Sequence, residues 1–174
     1  MNGYNDQSIA DARQVLTGKD GQLFVSGPTG LNIFLAEVDE FQAQANFNIT
    51  DWQPVGSYLV FGVPTGYSVS LTVNEVAIRD DVLLAPLIYA MNNGFSPEYS
   101  FQGKLRRRTG EEERIVYRNC LSDGSVDLQH LTPGDIIRRA WTFRCNSSPD
   151  LLTHFNRVQS LASDIYGALR GVDQ

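Results

Sequence analysis

The sequence predicts a mainly-β domain with one helix in its middle and an amphipathic helix at its end. Three observations lead there. Residues 41–50 and 67–78 alternate apolar and polar side chains with a period of two, the signature of half-buried strands. Residues 98–108 and 111–121 read as two more strands, the first ending in Arg106, Arg107 and Arg108 and the second opening on Glu111, Glu112 and Glu113. Apolar residues at helical spacing are confined to 79–94 and 147–171.

Taken in order, residues 1–17 form an N-terminal arm, in which 7–17 is either a short helix or a flexible segment. "QLFVSG" at 22–27 is a short strand closed by the turn residues that follow it. Residues 31–50 are long for one strand, so a bend is expected near Asp39–Glu40. Residues 51–66 read as a long connection with prolines and glycines. It is nonetheless apolar, through Trp52, Val55, Tyr58, Leu59 and Phe61, which a solvated loop seldom is; these five are expected to meet a partner. In 67–78, Tyr67, Val69, Leu71 and Val73 face one way and Ser68, Ser70, Thr72 and Asn74 the other.

For the helix over 79–94, Asp80 or Asp81 is the start signal and Asn92-Asn93-Gly94 the stop. Pro86 falls near the first turn, where it does least harm. Val82, Leu83, Leu87, Tyr89, Ala90 and Met91 are its expected buried residues. A two-residue turn at Thr109-Gly110 would set Arg108 opposite Glu111, Arg107 opposite Glu112 and Arg106 opposite Glu113, a mildly stabilising ladder of opposite charges. Arg107 and Glu112 are also candidates for contacts between subunits. Residues 125–135 suggest a short strand and a turn, and 136–146 the last strand, with Ile137, Trp141, Phe143 and Cys145 on one face. Arg138, Arg139 and Arg144 on that strand fit either a solvated face or ion pairs with an acidic neighbour. The tail, 147–174, is a helical extension: Ser148 can cap, Pro149 suits the first helical position, and Leu151, Leu152, Phe155, Val158, Ala162, Ile165, Tyr166 and Leu169 form its apolar stripe.

Composition narrows the function. The 174 residues carry a net charge of −6, with 42% hydrophobic and 20% charged residues. An acidic balance opposes phosphate binding, since nucleic-acid affinity rests on Lys and Arg displacing counterions. No apolar run approaches the length that spans a bilayer, and "MNGYNDQSIADARQ" has no secretory signal pattern. Cys120 and Cys145 lie outside any C-x-x-C motif and read as two buried thiols. His130 and His154 lack metal-ligand spacing, with His130 in a surface turn. No nucleophile elbow or phosphate loop is present, so no catalytic residue, metal or cofactor is expected and the chain reads as a non-enzyme.

One feature calls for explanation. In "FQAQANFNIT" the polar face, Gln42, Gln44, Asn46 and Asn48, holds amides only, where a solvated strand ordinarily carries charges. The segment "EFQAQANFNI" is similar to an "SFQA-x-x-NFN" strand, and the order "DGQLFVSG", "GYSVSLTVNEV", mid-chain helix, "YSFQGKL", "ERIVYRNC", "RAWTFRC" resembles the PBSX-type tail-core proteins, the inner-tube proteins of contractile phage tails and tailocins. The resemblance covers 18–146; residues 1–17 and 147–174 look like additions to it.

The resemblance implies an antiparallel β-sandwich or small barrel with one flanking helix, related to secretion-system tube proteins. It implies a homo-hexameric ring stacking into a tube inside a contractile sheath on a baseplate, in a virion tail assembled in the host cytoplasm. DNA or a puncturing device would pass through the lumen unbound. Such a wall must avoid bases, which hold phosphates, and large apolar groups, which aggregate. Gln42, Gln44, Asn46, Asn48, Ser68, Ser70, Thr72 and Asn74 have that character and are the expected lumen-facing residues. Two other readings stay open: a secretion-type tube or a one-ring capping or initiator protein, and a carbohydrate-binding β-sandwich using Trp52, Tyr58 and the amides.

Overall fold

In the computed structural model, residues 18–27, 30–77, 80–107, 110–129 and 131–154 are described. The N-terminal arm, His130, the turn residue Thr109 and the tail beyond 154 lie outside them.

Among the described residues, eight strands make one antiparallel sheet: β1 (Gly21–Ser26), β2 (Asn32–Phe34), β3 (Val38–Trp52), β4 (Phe61–Val76), β5 (Tyr99–Arg106), β6 (Glu112–Ser122), β7 (Arg138–Cys145) and β8 (Asp150–Thr153), with helix α1 (Leu84–Asn92) between β4 and β5. The order across the sheet is β2-β1-β5-β6-β7-β4-β3, and β8 also pairs with β6. The mainly-β prediction holds. The sheet does not lie flat. Phe41 on β3 packs edge-on against Tyr117 on β6, ring centroids 6.0 Å apart, and its ring lies over Gly103 on β5, whose absent Cβ would sit 3.5 Å away. β3 and β4 therefore fold over β5 and β6, and β7 carries the sheet round the corner.

The space enclosed is the core. Val25, Leu71, Val73, Phe101, Trp141 and Phe143 are all completely buried there. Alternation explains the selection: on β4, Val69, Leu71 and Val73 point inward between half-buried Ser68, Ser70, Thr72 and Asn74. On β7, Trp141, Phe143 and Cys145 point inward as expected. The rings of Phe101 and Phe143 lie 4.7 Å apart. Cys120 and Cys145 are register partners on β6 and β7 and remain free thiols, with sulfurs 2.8 Å apart. Their shared hydrogen bond, then burial, pushes the Cys120 thiol up.

Several local expectations are corrected. The bend near Asp39–Glu40 is an interruption at 35–37 followed by a register shift between Val38 and Glu40. Residues 51–66 are not one long connection, because β3 runs to Trp52 and β4 starts at Phe61, leaving 53–60 as the turn. Helix α1 starts only at Leu84. The Asp80 carboxylate does not cap it but accepts from Arg139 Nη1 at 2.5 Å. The stop is as expected, with Gly94 at φ 74° where a Cβ would be strained. Val82, Leu83, Leu87 and Ala90 are buried, whereas Tyr89 and Met91 face outward.

The charged hairpin is offset by one residue. Arg106 pairs with Glu112 and Leu105 with Glu113, and the Arg107 N–H donates to the Glu111 carbonyl at 2.8 Å. Gly110 stands at φ 94°, and the expected Arg108–Glu111 pair lies outside the described residues. Residues 125–135 hold no strand among the described ones. The tail does not begin as a helix. Asp150–Thr153 is a strand, set against β6 with Leu151 opposite Ile115, and Arg118 Nη1 bonds the Asp150 carboxylate. Asn119, at φ 53°, marks the kink where β6 changes neighbour from β8 to β7.

Candidate assembly surface

The two polar stripes identified in sequence belong to one surface. In the β3–β4 register Gln42 is opposite Thr72, Gln44 opposite Ser70, Asn46 opposite Ser68 and Asn48 opposite Gly66. Directly opposite residues share a sheet face, so the amides and hydroxyls merge into a single patch. It is cross-braced: the Asn46 side-chain amide donates to the Ser70 hydroxyl at 3.2 Å, and the Asn74 amide donates to Glu40 at 3.0 Å.

β7 widens the patch in a way that reading two strands in isolation missed. Thr142 lies opposite Thr72, Ala140 opposite Asn74, Arg144 opposite Ser70 and Arg138 opposite Val76. The face is therefore amide and hydroxyl over β3 and β4, with charge at its border. Arg138 is neutralised there by Asp39, Nε to Oδ2 2.8 Å. Arg144 is exposed and has no ion-pair partner among the described residues. Both arginines were visible in sequence, but their neighbours were not, because register between strands 70 positions apart leaves no local signal.

Toward its tip the β3–β4 ribbon leaves the domain. From Phe47 to Trp52 and from Phe61 to Tyr67 every residue is exposed on both faces. One face carries Phe47 and Tyr67, ring centroids 5.9 Å apart, and Ile49. An extra residue on β4, between Pro64 and Gly66, accompanies the register shift between Asn48 and Ile49. Beyond it the wet stripe gives way to Trp52 packed on Phe61 at 5.9 Å. Val55, Tyr58 and Leu59 crown the turn and are fully or largely exposed. The Gln53 side chain holds the turn by donating to the Ser57 carbonyl at 2.7 Å.

Two other expected contact residues sit elsewhere. Arg107 pairs with Glu111 at 3.0 Å, and Glu112 with Lys104 at 3.1 Å. The hydrogen bond from Lys104 holds the Glu112 carboxyl below the usual range. Both charges are thus engaged within their own hairpin, remote from the ribbon tip. Arg139 likewise faces inward, beside Glu75 and Trp141, instead of a neighbouring subunit. Trp141 Nε1 donates to Glu75 at 2.8 Å, and burial raises the Glu75 carboxyl despite that bond and the nearby Arg139. Among the described residues, no group of His, Cys, Asp and Glu could hold a metal ion, and no helix is long and apolar enough to cross a membrane.

No family model matches the sequence, and no curated protein matches it. Solved structures match well. A chain of the anti-feeding prophage tube-terminating cap aligns over 88% of this chain and 100% of its own, with TM-score 0.61 and 12% identity. The SPP1 tail tube aligns over 87% and 86%, with TM-score 0.57 and 10% identity. A chain of the sheath–tube complex of an extracellular contractile injection system, in its extended state, aligns over 76% and 89%, with TM-score 0.54 and 14% identity. At such identities the likeness is one of fold, and the fold is that of tail-tube proteins.

Proposed function

We propose that this chain is the structural subunit of the inner tail tube of a contractile phage tail or related particle, closing into hexameric rings that stack. One observation carries the reading. The β3–β4 ribbon projects from the core with both faces uncovered, and a lone two-stranded ribbon is only marginally stable in water. Its outer strand β3 is a 15-residue sheet edge, a row of unmade backbone hydrogen bonds that neighbouring copies can complete. Ring closure satisfies that edge and the apolar face together.

In this assembly the patch from Gln42 to Asn48 and Ser68 to Asn74 lines the lumen. DNA or a puncturing device slides past amides and hydroxyls without being gripped. The aromatic tip from Trp52 to Phe61 seats on the next ring. A sheath surrounds the tube and a baseplate starts it, in a virion tail assembled in the host cytoplasm. The tube-fold neighbours from sheath–tube and cap assemblies support this setting.

The similarity to a tube-terminating cap and to a baseplate chain, the latter at TM-score 0.60, favours a second reading, a one-ring cap or initiator. Negative-stain microscopy of the purified chain separates them. Long tubes establish the tube subunit, single rings the cap or initiator, and monodisperse monomer at high concentration refutes both.

A further inference from the structure

Cys120 on β6 and Cys145 on β7 are two buried thiols for which the proposed assembly has no use. They stand opposite one another in the register, with sulfurs 2.8 Å apart. The Asn146 N–H donates to the Asn119 carbonyl at 3.0 Å, immediately beside the pair. That bond joins the residues flanking the two cysteines, so they hold a non-hydrogen-bonded position, where facing Cα atoms lie about 4.5 Å apart. A disulfide spans Cα separations of roughly 4.4–6.8 Å, so these strands can accept one where they stand. The row continues into the core. Tyr99 lies opposite Cys120 on β5 and Val69 opposite Cys145 on β4, and both are buried. Among the described residues no third metal-binding side chain joins the thiols.

The two thiols are not equivalent. Cys145 ends β7 and is 8% exposed, while Cys120 is fully buried. The hydrogen bond they share holds the Cys145 thiol below its ordinary value, while that bond and burial push Cys120 up. The thiolate is the reactive form, so Cys145 attacks first and Cys120 resolves.

We infer that Cys145 and Cys120 form an oxidation site that takes a peroxide as co-reactant and ends as a cross-strand disulfide. Cys145 loses its proton and its thiolate attacks one peroxide oxygen; the S–O bond forms, the O–O bond breaks and hydroxide leaves. The Cys120 sulfur then attacks the Cys145 sulfur; the S–S bond forms, the S–O bond breaks and a second hydroxide leaves. The two thiol protons turn both hydroxides into water, so two electrons pass from the sulfurs to one peroxide. The bond braces a short seam. β6 and β7 share three register pairs, against eight between β7 and β4. It ties positions 25 apart in sequence at the corner where β7 carries the sheet round. In a tail-tube subunit it would form once the particle leaves the reducing cytoplasm, whereas the chemistry itself requires only the single chain.

The test treats the full-length chain with a small excess of hydrogen peroxide, then unfolds it and alkylates it with N-ethylmaleimide. Mass spectrometry should show uptake falling from two groups to none, a protein lighter by two hydrogens, and a peptide pair joined through Cys120 and Cys145 in a non-reducing digest. Dithiothreitol should restore both thiols. Two thiols still alkylated, oxygen retained on Cys145 without the bond, or a bond joining two chains would each overturn the inference. Cys120→Ala should leave a sulfenic acid on Cys145 that dimedone traps, whereas Cys145→Ala should leave Cys120 unlabelled. The reverse labelling overturns the order of attack. The wild-type masses decide the bond itself even where a variant fails to fold. Oxidation should also raise the thermal midpoint by about 5–15 °C, the shift a typical disulfide brings to a domain of this size. An unchanged or lowered midpoint counts against a brace. A chain that cross-links internally yet stays monomeric would refute the tube and uphold the oxidation site.

Discussion

Replacing Trp52 by Ser tests whether the ribbon tip is an assembly surface. Within the subunit Trp52 touches chiefly Phe61, and such an aromatic pair contributes about 1 kcal/mol beyond area burial. Subunit stability should fall by no more than about 1–2 kcal/mol, since Trp52 is a surface residue already 58% exposed. Assembly should suffer more. A Trp side chain presents up to about 250 Å², so 58% exposure leaves roughly 140 Å² to be covered by the next ring. At about 25 cal/mol per Å² that is an upper value near 3.5 kcal/mol per copy, or a few hundred-fold in each contact's equilibrium. It is repeated at every copy around the ring. The assay pairs urea unfolding of dispersed subunits with sedimentation and negative-stain imaging across a concentration series. The expected outcome is a folded W52S subunit that makes rings or short stubs in place of tubes. A W52S variant that forms long tubes at the wild-type critical concentration would refute the stacking role.

Three further outcomes are expected. Gln44→Lys with Asn46→Lys changes exposed residues and removes one exposed hydrogen bond, so unfolding should shift by no more than about 1 kcal/mol. In tails that carry DNA, delivery should drop and recover with added salt, as phosphate contacts do; normal delivery would return this face to ordinary outer surface. Burial raises the Glu75 carboxyl, so the folded chain holds that proton more tightly than the unfolded one. The associated stability is fully present below the unfolded carboxyl value and is lost as pH rises through the folded value. Glu75→Gln, which keeps an acceptor for Trp141, should therefore gain on wild type from pH 4 to pH 8 in urea midpoints, and a gap widening the other way contradicts the burial argument. Trp141→Phe leaves Glu75 without its indole donor and opens space in the core, which should cost about 2–4 kcal/mol. In the same denaturation series, adding Glu75→Gln to it should recover part of that loss, and strict additivity would show that the pair is uncoupled.

The sequence by itself determined which residues share a face along each strand. Alternation is a property of the extended backbone, so Val69, Leu71, Val73, Trp141 and Phe143 could be read as core without knowing their partners. It also marked the amide stripe and the apolar run from Trp52 to Phe61, and the order of strands and helix carried the likeness to tail-tube proteins. What needed the tertiary structure were the relations between segments. Only register shows that the Gln42–Asn48 and Ser68–Asn74 stripes share one face, with Arg144 at its border. Only pairing shows that Trp52 and Phe61 extend strands through a stretch whose prolines and glycines read as a loop. Helical spacing at the start of the tail lost to a free sheet edge, because Leu151 and Leu152 gain a ladder on β6 that an isolated helix could not offer. Asp80, placed to cap a helix, instead accepts from Arg139, fifty-nine positions away. A buried guanidinium must have a carboxylate, and where the fold brings one near, that demand outweighs a cap of about 1 kcal/mol.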